Sequence, residues 1–276
     1  MSERDGYEHG VPCFVSGVFP DPDAAASFYS ELFGWETENL MPPEHPGDYF
    51  VCCLRDRDVA AIVSQHGAPA PPQAVWTMLV SVESVEQAAS RAASAGGNVI
   101  GEPFDSPGGG RQAILADPSG AVFSVWEPRE RHGAQLVNEP SAWAMSGLNT
   151  DDPESAKRFY ADVFGWDTKS FDMGDAELVM WTVPGYVGGE PEQPVPRDVV
   201  ATMLPPGAAG EAPPHWSVDF WVADLDTAAE TVAELGGELL VPPYDVPNTG
   251  LRQAVVTDPQ GATLSLTQPP GQARGA

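Results

Sequence analysis

Apolar residues alternate with polar ones in short runs along the first half of the chain, a period typical of half-buried β-strands. Two longer segments place apolar residues at helical spacing, and glycines stop both of them. The pattern predicts helices over residues 21–33 and 85–95. It predicts strands over residues 12–18, 49–54, 59–64, 76–82, 99–104, 112–116 and 121–126.

The second half follows the same order of patterns. Helical spacing predicts helices over residues 152–164 and 227–235. Alternation predicts strands over residues 143–149, 178–183, 199–204, 216–222, 238–241, 253–257 and 263–267. A Gly/Pro-rich loop over residues 184–197 has no counterpart of that length in the first half. Each half is therefore expected to contain a strand, a helix and further strands, twice over.

Two stretches of sequence occur twice at nearly constant spacing. Phe-Tyr-Ser-Glu-Leu-Phe-Gly-Trp at residues 28–35 returns as Phe-Tyr-Ala-Asp-Val-Phe-Gly-Trp at residues 159–166. Arg-Gln-Ala and Asp-Pro-x-Gly-Ala, within residues 111–121, return within residues 252–262. The chain is thus a tandem duplication, with domains expected at 10–127 and 141–268. Residues 128–140 are predicted to be a polar linker and residues 269–276 a loose tail.

Composition narrows the possible partners. A net charge of −27 over 276 residues excludes nucleic acid and anionic membrane surfaces, which require a basic patch. No apolar run is long enough for a transmembrane helix, and the polar N-terminus does not resemble a signal peptide. The three cysteines, Cys13, Cys52 and Cys53, form no disulfide or metal pattern. We expect a cytoplasmic protein with reduced, buried thiols.

A strand, a helix ending in Phe-Tyr-x-x-x-Phe-Gly-Trp, and a late hairpin turned by Asp-Pro-x-Gly-Ala resemble the vicinal oxygen chelate superfamily. This superfamily contains glyoxalases, bleomycin-resistance proteins and extradiol dioxygenases. The chain is similar to its tandem-domain, glyoxalase-like members of actinobacterial type. The resemblance implies an α+β fold of four βαβββ modules, paired into two domains whose curled mixed sheets surround a cleft. It also implies that a cleft holds a small molecule, usually on a divalent metal.

The positions that hold the metal in this family carry unsuitable residues here. Counted from the shared motifs, they fall on Phe14, Thr77 and Ser124 in the first half, and on Met145, Ser217 and Ser265 in the second. Catalytic zinc or iron takes His, Glu, Asp or Cys in threes. We therefore expect no metal and no other cofactor. A divalent metal remains the alternative if the alignment is shifted by one residue, because Trp143 and His215 lie near two of these positions.

Alternation along the strands assigns residues to the face that lines each cleft. The first cleft is expected to contain Phe14, Ser16, Thr77, Ser81, Ser124 and Trp126. The second is expected to contain Trp143, Met145, Asn149, His215, Ser217, Asp219, Trp221, Ser265 and Thr267. Arg111 and Arg252 follow glycine-bearing loops and are candidates for ligand contacts at the cleft border. The alternative for both arginines is a structural ion pair with the acidic surface.

His215 and Asp219 are the candidate acid and base, because no other pair in a cleft is suited to proton transfer. Four residues apart on one strand, they are separated by about 13 Å and form no dyad. The alternatives are that His215 caps the start of the strand after Pro213 and Pro214, and that Asp219 pairs with an arginine or a hydroxyl.

Three functions are consistent with these features. The first is metal-independent binding of an aromatic or polyketide-like molecule, of a sequestration or resistance type. The second is an enzyme, either a natural-product tailoring catalyst or a glyoxalase-like lyase with a non-standard site. The third is a scaffold for protein interaction. The chain is expected to be a monomer or a homodimer, since the duplication already pairs the domains.

Overall fold

Each half of the chain forms one eight-stranded sheet in the computed structural model. The structure describes residues 2–64, 74–172, 177–188, 196–205, 207, 210 and 212–271. Both sheets mix parallel and antiparallel pairs, and helices pack on one face of each. The α+β class and the pair of similar sheets are thus confirmed. Within the described residues, no helix is long and apolar enough to cross a membrane.

A short strand, β1 (Ser2–Glu3), precedes the first sheet. The elements that follow are β2 (Pro12–Phe19), α1 (Pro22–Phe33), β3 (Glu36–Asn39), β4 (Tyr49–Leu54), β5 (Arg57–Ser64), β6 (Val75–Ser81), α2 (Val85–Ser94), β7 (Asn98–Ser106), β8 (Gly110–Ala116) and β9 (Val122–Pro128). Across the sheet their order is β3-β4-β5-β2-β6-β9-β8-β7. The central strands β2 and β6 are antiparallel, and each has a parallel outer neighbour.

The second sheet repeats this topology. After β10 (Leu136–Val137), which pairs with β1, the elements are β11 (Trp143–Asn149), α3 (Pro153–Phe164), β12 (Asp167–Asp172), β13 (Glu177–Thr182), β14 (Val199–Met203), β15 (His215–Trp221), α4 (Leu225–Glu234), β16 (Glu238–Asp245), β17 (Arg252–Thr257) and β18 (Thr263–Gln268). Their order is β12-β13-β14-β11-β15-β18-β17-β16. Each sheet therefore consists of two βαβββ modules, as predicted.

The repeated helices begin and end for the same local reasons in both halves. Asp21 caps α1 by accepting a hydrogen bond from the backbone N–H of Ala24, and Asp152 caps α3 through Ser155. A proline occupies the first turn of each helix. Gly34 then ends α1 in the left-handed conformation at φ 72°. The predicted ends of both helices agree with the structure to within one residue, because the capping residues are duplicated together with the motif.

Two edge strands are absent from the prediction. β3 and β12 follow the Phe-Gly-Trp motifs, and every residue of β3 is exposed. An edge strand with both faces in water has no alternation of apolar and polar residues, so the pattern fails there. β16 also extends to Asp245, beyond the predicted end at residue 241, through two irregularities in its pairing with β17. Residues 189–195 of the predicted long loop lie outside the described residues.

The segment between the two sheets is not a polar spacer. Ala134, Leu136 and Val137 are buried within it, and the last two form β10. Two hydrogen bonds join the segment to β5. The backbone N–H of Asp58 donates to the side-chain oxygen of Gln135, and the backbone N–H of Gln135 donates to the carbonyl oxygen of Asp58. The segment predicted as a polar linker over 128–140 thus contains a buried apolar part, and its bounds as a linker stay a prediction. Of the predicted tail, residues 269–271 lie within the described part of the chain.

One hydrophobic core contains residues of both halves. The ring of Phe220 in β15 packs 5.0 Å from Phe33 and 5.3 Å from Trp76, between centroids. Two reciprocal hydrogen bonds connect the halves, from Tyr29 to Asp258 and from Tyr160 to Asp117. Each joins the first helix of one half to the Asp-Pro turn of the other. The two sheets thus share their helix-covered sides, and their other faces form the cleft faces.

Candidate functional site

The cleft face of the second sheet is organised in rows across its strands. Strand register places Met145, Asp219 and Ser265 side by side on β11, β15 and β18. All three side chains are partly exposed, whereas Val218 and Phe220 on the other face are buried. The next row contains Trp221, Thr267, Gln253 and Tyr244. These predicted cleft residues are therefore brought together, with Gln253 and Tyr244 in addition.

A directed chain of hydrogen bonds links the second row to the first. Tyr244 Oη donates to Gln253 Oε1 over 2.6 Å, and Gln253 Nε2 donates to Thr267 Oγ1 over 3.1 Å. The hydroxyl of Thr267 then donates to Asp219 Oδ1 over 2.7 Å. Thr267 is buried and Tyr244 is exposed. We call these four residues the Asp219 relay. It holds the carboxyl in one position from the β18 side.

Desolvation raises the pKa of Asp219 to about 7, although hydrogen bonds from Thr267 and Gln253 lower it in part. Within the described residues, Asp219 forms no ion pair with a lysine or an arginine. Of the two alternatives for this residue, pairing with a hydroxyl is what the structure contains. An acidic group that titrates near neutrality in a cleft can accept or donate a proton.

Substitution of Asp219 by asparagine should change the pH dependence of stability. Because folding raises this pKa from its ordinary acidic value to about 7, the protonated carboxyl stabilises the fold at low pH. That contribution is lost as the pH rises from roughly 4 to roughly 7. In urea unfolding, the free energy of unfolding of Asp219→Asn should therefore rise relative to wild type by up to about 1.4 kcal/mol for each pH unit in this window. A stability difference that does not vary with pH would refute the raised pKa.

The floor of the cleft lacks a side chain at Gly147. A Cβ built there would lie 3.2 Å from both Ser217 Oγ and Thr202 Oγ1. The equivalent residue of the first half is Ser16, which pairs with Thr77 as Gly147 pairs with Ser217. The second sheet therefore lacks the side chain that Ser16 carries in the first, and the hydroxyls of Ser217 and Thr202 lie close to the space it would take.

His215 lies at the start of β15, opposite Asn149. Its Nδ1 is 2.7 Å from the carbonyl oxygen of Pro213, and its Nε2 is 3.3 Å from Asn149 Nδ2. Since a carbonyl only accepts, Nδ1 carries the proton and Nε2 accepts from the amide. Both ring nitrogens thus have partners in the protein. This placement agrees with the interpretation of His215 as a cap for the strand start.

Trp143 does not lie on the cleft face, so its prediction as a ligand-binding residue is corrected. The register of β11 and β15 shifts between Trp143 and Met145, and Trp143 pairs with Phe220. Its indole N–H donates to the backbone of Met145 and to the buried hydroxyl of Ser146. A bulge inserts one residue and thereby reverses the alternation beyond it. The same shift occurs between Pro12 and Phe14 in the first half.

Arg111 and Arg252 form ion pairs, which was the alternative for both. Arg252 binds Asp226 of α4 through two hydrogen bonds of 2.9 and 3.0 Å. Arg111 binds Glu86 of α2 at 2.7 Å and Asp105 at 3.2 Å. Each arginine adjoins a glutamine whose amide reaches a cleft hydroxyl, so the arginines point to the helix side. Contact of these arginines with a ligand stays a prediction.

The first cleft is filled by its own side chains. Leu79, Cys13 and Trp126 form a buried cluster against which Tyr7 and Phe14 pack. The predicted lining residues Ser16, Thr77, Ser81 and Ser124 share this face and are all buried. Burial also raises the pKa of the Cys13 thiol, as expected for a structural cysteine. Little of this face is accessible to a ligand.

Two segments close the first cleft from outside. The loop before β8 lies on the aromatic rings, since a Cβ at Gly110 would be 2.3 Å from the Trp126 ring and one at Gly108 would be 2.3 Å from Tyr49 Oη. The segment after β9 covers the other side, where Arg131 pairs with Asp58 and accepts a hydrogen bond from the Trp126 indole. In the second half, Thr267 occupies the position of Trp126 and Leu251 that of Gly110.

Sequence reasoning missed Gln253, Tyr244 and Thr202 as cleft residues. Gln253 carried a signal, because the Arg-Gln-Ala motif occurs in both halves. Tyr244 carried none, since the strand irregularities between Leu239 and Tyr244 break the alternation. Thr202 lies on β14 opposite Gly147, which only strand register reveals.

The residues of the second cleft do not fit a divalent metal at the family's position. Met145, Ser217 and Ser265 supply a thioether and two hydroxyls, which are poor ligands for a hard cation. Asp219 adds one carboxylate, and it belongs to the relay. The described part of the chain contains no group of three or more His, Cys, Asp or Glu residues placed to hold a metal.

One protein family matches both halves of the chain. The model of the Glyoxalase/Bleomycin resistance protein/Dioxygenase superfamily covers residues 17–125 and 142–266. "Putative glyoxylase CFP32" of Mycobacterium tuberculosis is 34% identical, over 99% of this chain and 100% of that protein. "Anthracycline biosynthesis protein DnrV" of Streptomyces peucetius is 30% identical, over 94% of this chain and 93% of that protein.

Solved structures show the same fold at low sequence identity. The Mn(II)-bound glyoxalase from Novosphingobium aromaticivorans has a TM-score of 0.61 at 15% identity, covering 94% of this chain and 82% of its own. The 2,2',3-trihydroxybiphenyl 1,2-dioxygenase from Sphingomonas wittichii has a TM-score of 0.60 at 13% identity, covering 95% and 91%. At this identity the likeness concerns the fold alone.

Proposed function

This chain belongs to the Glyoxalase/Bleomycin resistance protein/Dioxygenase superfamily, and from that premise we propose that it binds a small aromatic, polyketide-like molecule in its second cleft without a metal. The contrast between the two clefts supports the proposal most directly. Trp221 and Asp219 are partly exposed in the second, whereas their counterparts Ser81 and Leu79 are buried in the first. Met145 and its counterpart Phe14 are both partly exposed. An accessible aromatic ring beside a few polar groups is typical of small-molecule sites.

Relatives favour this ligand class. Two similar proteins from Streptomyces, at 30% and 31% identity, carry names that assign them to anthracycline biosynthesis. Anthracyclines are planar, hydroxylated aromatic polyketides. The second cleft offers Trp221 for stacking, and the relay and Ser265 for hydroxyl and carbonyl groups.

A titration with 2-hydroxyanthraquinone tests the proposal. We expect one molecule to bind per chain, with affinity unchanged after dialysis against EDTA. Trp221→Ala should weaken binding about tenfold or more, because it removes a stacking surface worth roughly 0.5–1.5 kcal/mol together with the apolar area that the ligand buries against it. Phe104→Ala, which alters an exposed aromatic residue of the first half, serves as the matched control and should have no effect. Equal loss in both variants, or dependence on a metal, would count against the proposal.

A second candidate is an enzyme in which Asp219 acts as general base. The observation that favours it is the pKa of about 7 for a carboxyl that faces the cleft. Asp219 would then take a proton from an acidic C–H or O–H of the bound molecule. Asp219→Asn separates the two functions. If the protein is an enzyme, wild type turns a substrate over and the variant does not. If the protein only binds its ligand, neither wild type nor the variant shows turnover.

A further inference from the structure

The fold itself does not require the carboxyl of Asp219. In the first half, Leu79 occupies the same position in the row, beside Phe14 and Ser124. Phe104 and Trp126 replace Tyr244 and Thr267, so of the relay only the glutamine is kept. The first sheet forms the same topology with this apolar set. The carboxyl of Asp219 carries a desolvation cost, and its counterpart in the first cleft is apolar, which favours a role other than folding.

The relay leaves hydrogen-bonding capacity on Asp219. A carboxylate offers about four acceptor sites, and in this site Thr267 donates a hydrogen bond to one oxygen of Asp219. The side chain of Asp219 is largely desolvated but keeps some exposure, and its row neighbours on β11 and β18 are Met145 and Ser265. A group bound over this row would meet the remaining carboxyl acceptor sites.

The charges around Asp219 disfavour an anionic ligand. Its neighbours on β11 and β18, Met145 and Ser265, do not titrate. The titratable group facing it from β16 is Tyr244, whose side chain is exposed in part; the desolvation of the rest and the nearby carboxyl raise its pKa. His215 lies four residues away on the same strand and is engaged with Pro213 and Asn149. With a net charge of −27 on the chain, a ligand that donates a hydrogen bond and carries no negative charge fits this site.

We infer that Asp219 selects ligands that carry a phenolic or enolic hydroxyl, which donates its hydrogen bond to this carboxyl. This inference rests on the proposed function and specifies its ligand class. Gln253 and Thr267 act as positioning residues, because their hydrogen bonds fix the orientation of the carboxyl. A hydrogen bond between a hydroxyl and a carboxylate is about twice as strong as a neutral one, so it discriminates between ligands.

The test compares 2-hydroxyanthraquinone with 2-methoxyanthraquinone, which has the same ring but no donor. Wild type should prefer the hydroxyl compound by about 10- to 100-fold in Kd near neutral pH. Asp219→Leu, which installs the residue of the first half, should abolish this preference and leave the affinity for the methoxy compound nearly unchanged. Asp219→Asn keeps the shape and should lose most of the preference.

The glutamine pair provides a matched control for the positioning role. Gln253→Leu should reduce the preference for the hydroxyl compound, whereas Gln112→Leu, its counterpart in the closed cleft, should not. Retention of the wild-type preference by Asp219→Leu and Asp219→Asn would overturn the inference but leave the proposed function standing. If wild type binds neither compound, both the inference and the proposed function are wrong.

Discussion

Trp126→Ala is expected to lower the free energy of unfolding by about 3–5 kcal/mol, as for other large-to-small changes at a buried aromatic residue. Trp126 is 4% exposed and fills the first cleft together with Cys13 and Leu79. The closing loop contacts its ring at Gly110, so the vacated space cannot be filled by a small shift of the backbone. The indole also donates to Arg131, and that carbonyl would lose its partner.

Trp221→Ala in the second cleft is the informative comparison. Trp221 is partly exposed, so part of its ring area is already in water and its removal should cost clearly less, about 1–2 kcal/mol. Urea unfolding of both variants measures the difference. If the two substitutions cost the same, the first cleft is not packed as described and the asymmetry between the halves fails.

Asp258→Ala is expected to destabilise the protein by about 3 kcal/mol or more, because a buried carboxylate loses several hydrogen bonds at once. Oδ1 of Asp258 accepts from the backbone N–H groups of Gln260 and Ala262, and Oδ2 accepts from the hydroxyl of Tyr29 in the other half. That hydroxyl also accepts a hydrogen bond from the Trp76 indole. The substitution therefore disrupts a turn and a contact between the halves.

The matched variants separate these two effects. Tyr29→Phe keeps the turn of Asp258 but removes one hydrogen bond between the halves, so it should cost less than Asp258→Ala. Asp117→Ala, at the equivalent turn bonded to Tyr160, should resemble Asp258→Ala in size. Asp23→Ala, in the exposed first turn of α1, should change stability by less than about 0.5–1 kcal/mol. A cost of under about 1 kcal/mol for Asp258→Ala would contradict the structural role of the turns.

The duplicated motifs made most of the fold predictable from the sequence. Phe-Gly-Trp marks a helix end with a left-handed glycine, and Asp-Pro-x-Gly marks a hairpin whose aspartate accepts backbone hydrogen bonds. Both are local requirements, so they are legible in a short stretch of chain. Alternation also placed Asp219, Ser217 and Trp221 on one face correctly.

Long-range contacts decided what the sequence did not predict. The bulge that moves Trp143 to the core side depends on pairing with β15, a strand distant in sequence. The closure of the first cleft depends on a loop and on the segment with Arg131, which meet only in the folded chain. The relay needs Tyr244 and Gln253 from two further strands. None of these contacts leaves a periodic signal in the sequence.

The most direct test of the central claim is a crystal structure of the protein soaked with 2-hydroxyanthraquinone. The claim is that the second cleft is the ligand site and that the first is filled by the protein itself. We expect density for one molecule over the row of Met145, Asp219 and Ser265, with its hydroxyl within hydrogen-bonding distance of Asp219. Density in the first cleft, with Trp126 and Leu79 displaced, would contradict the claim.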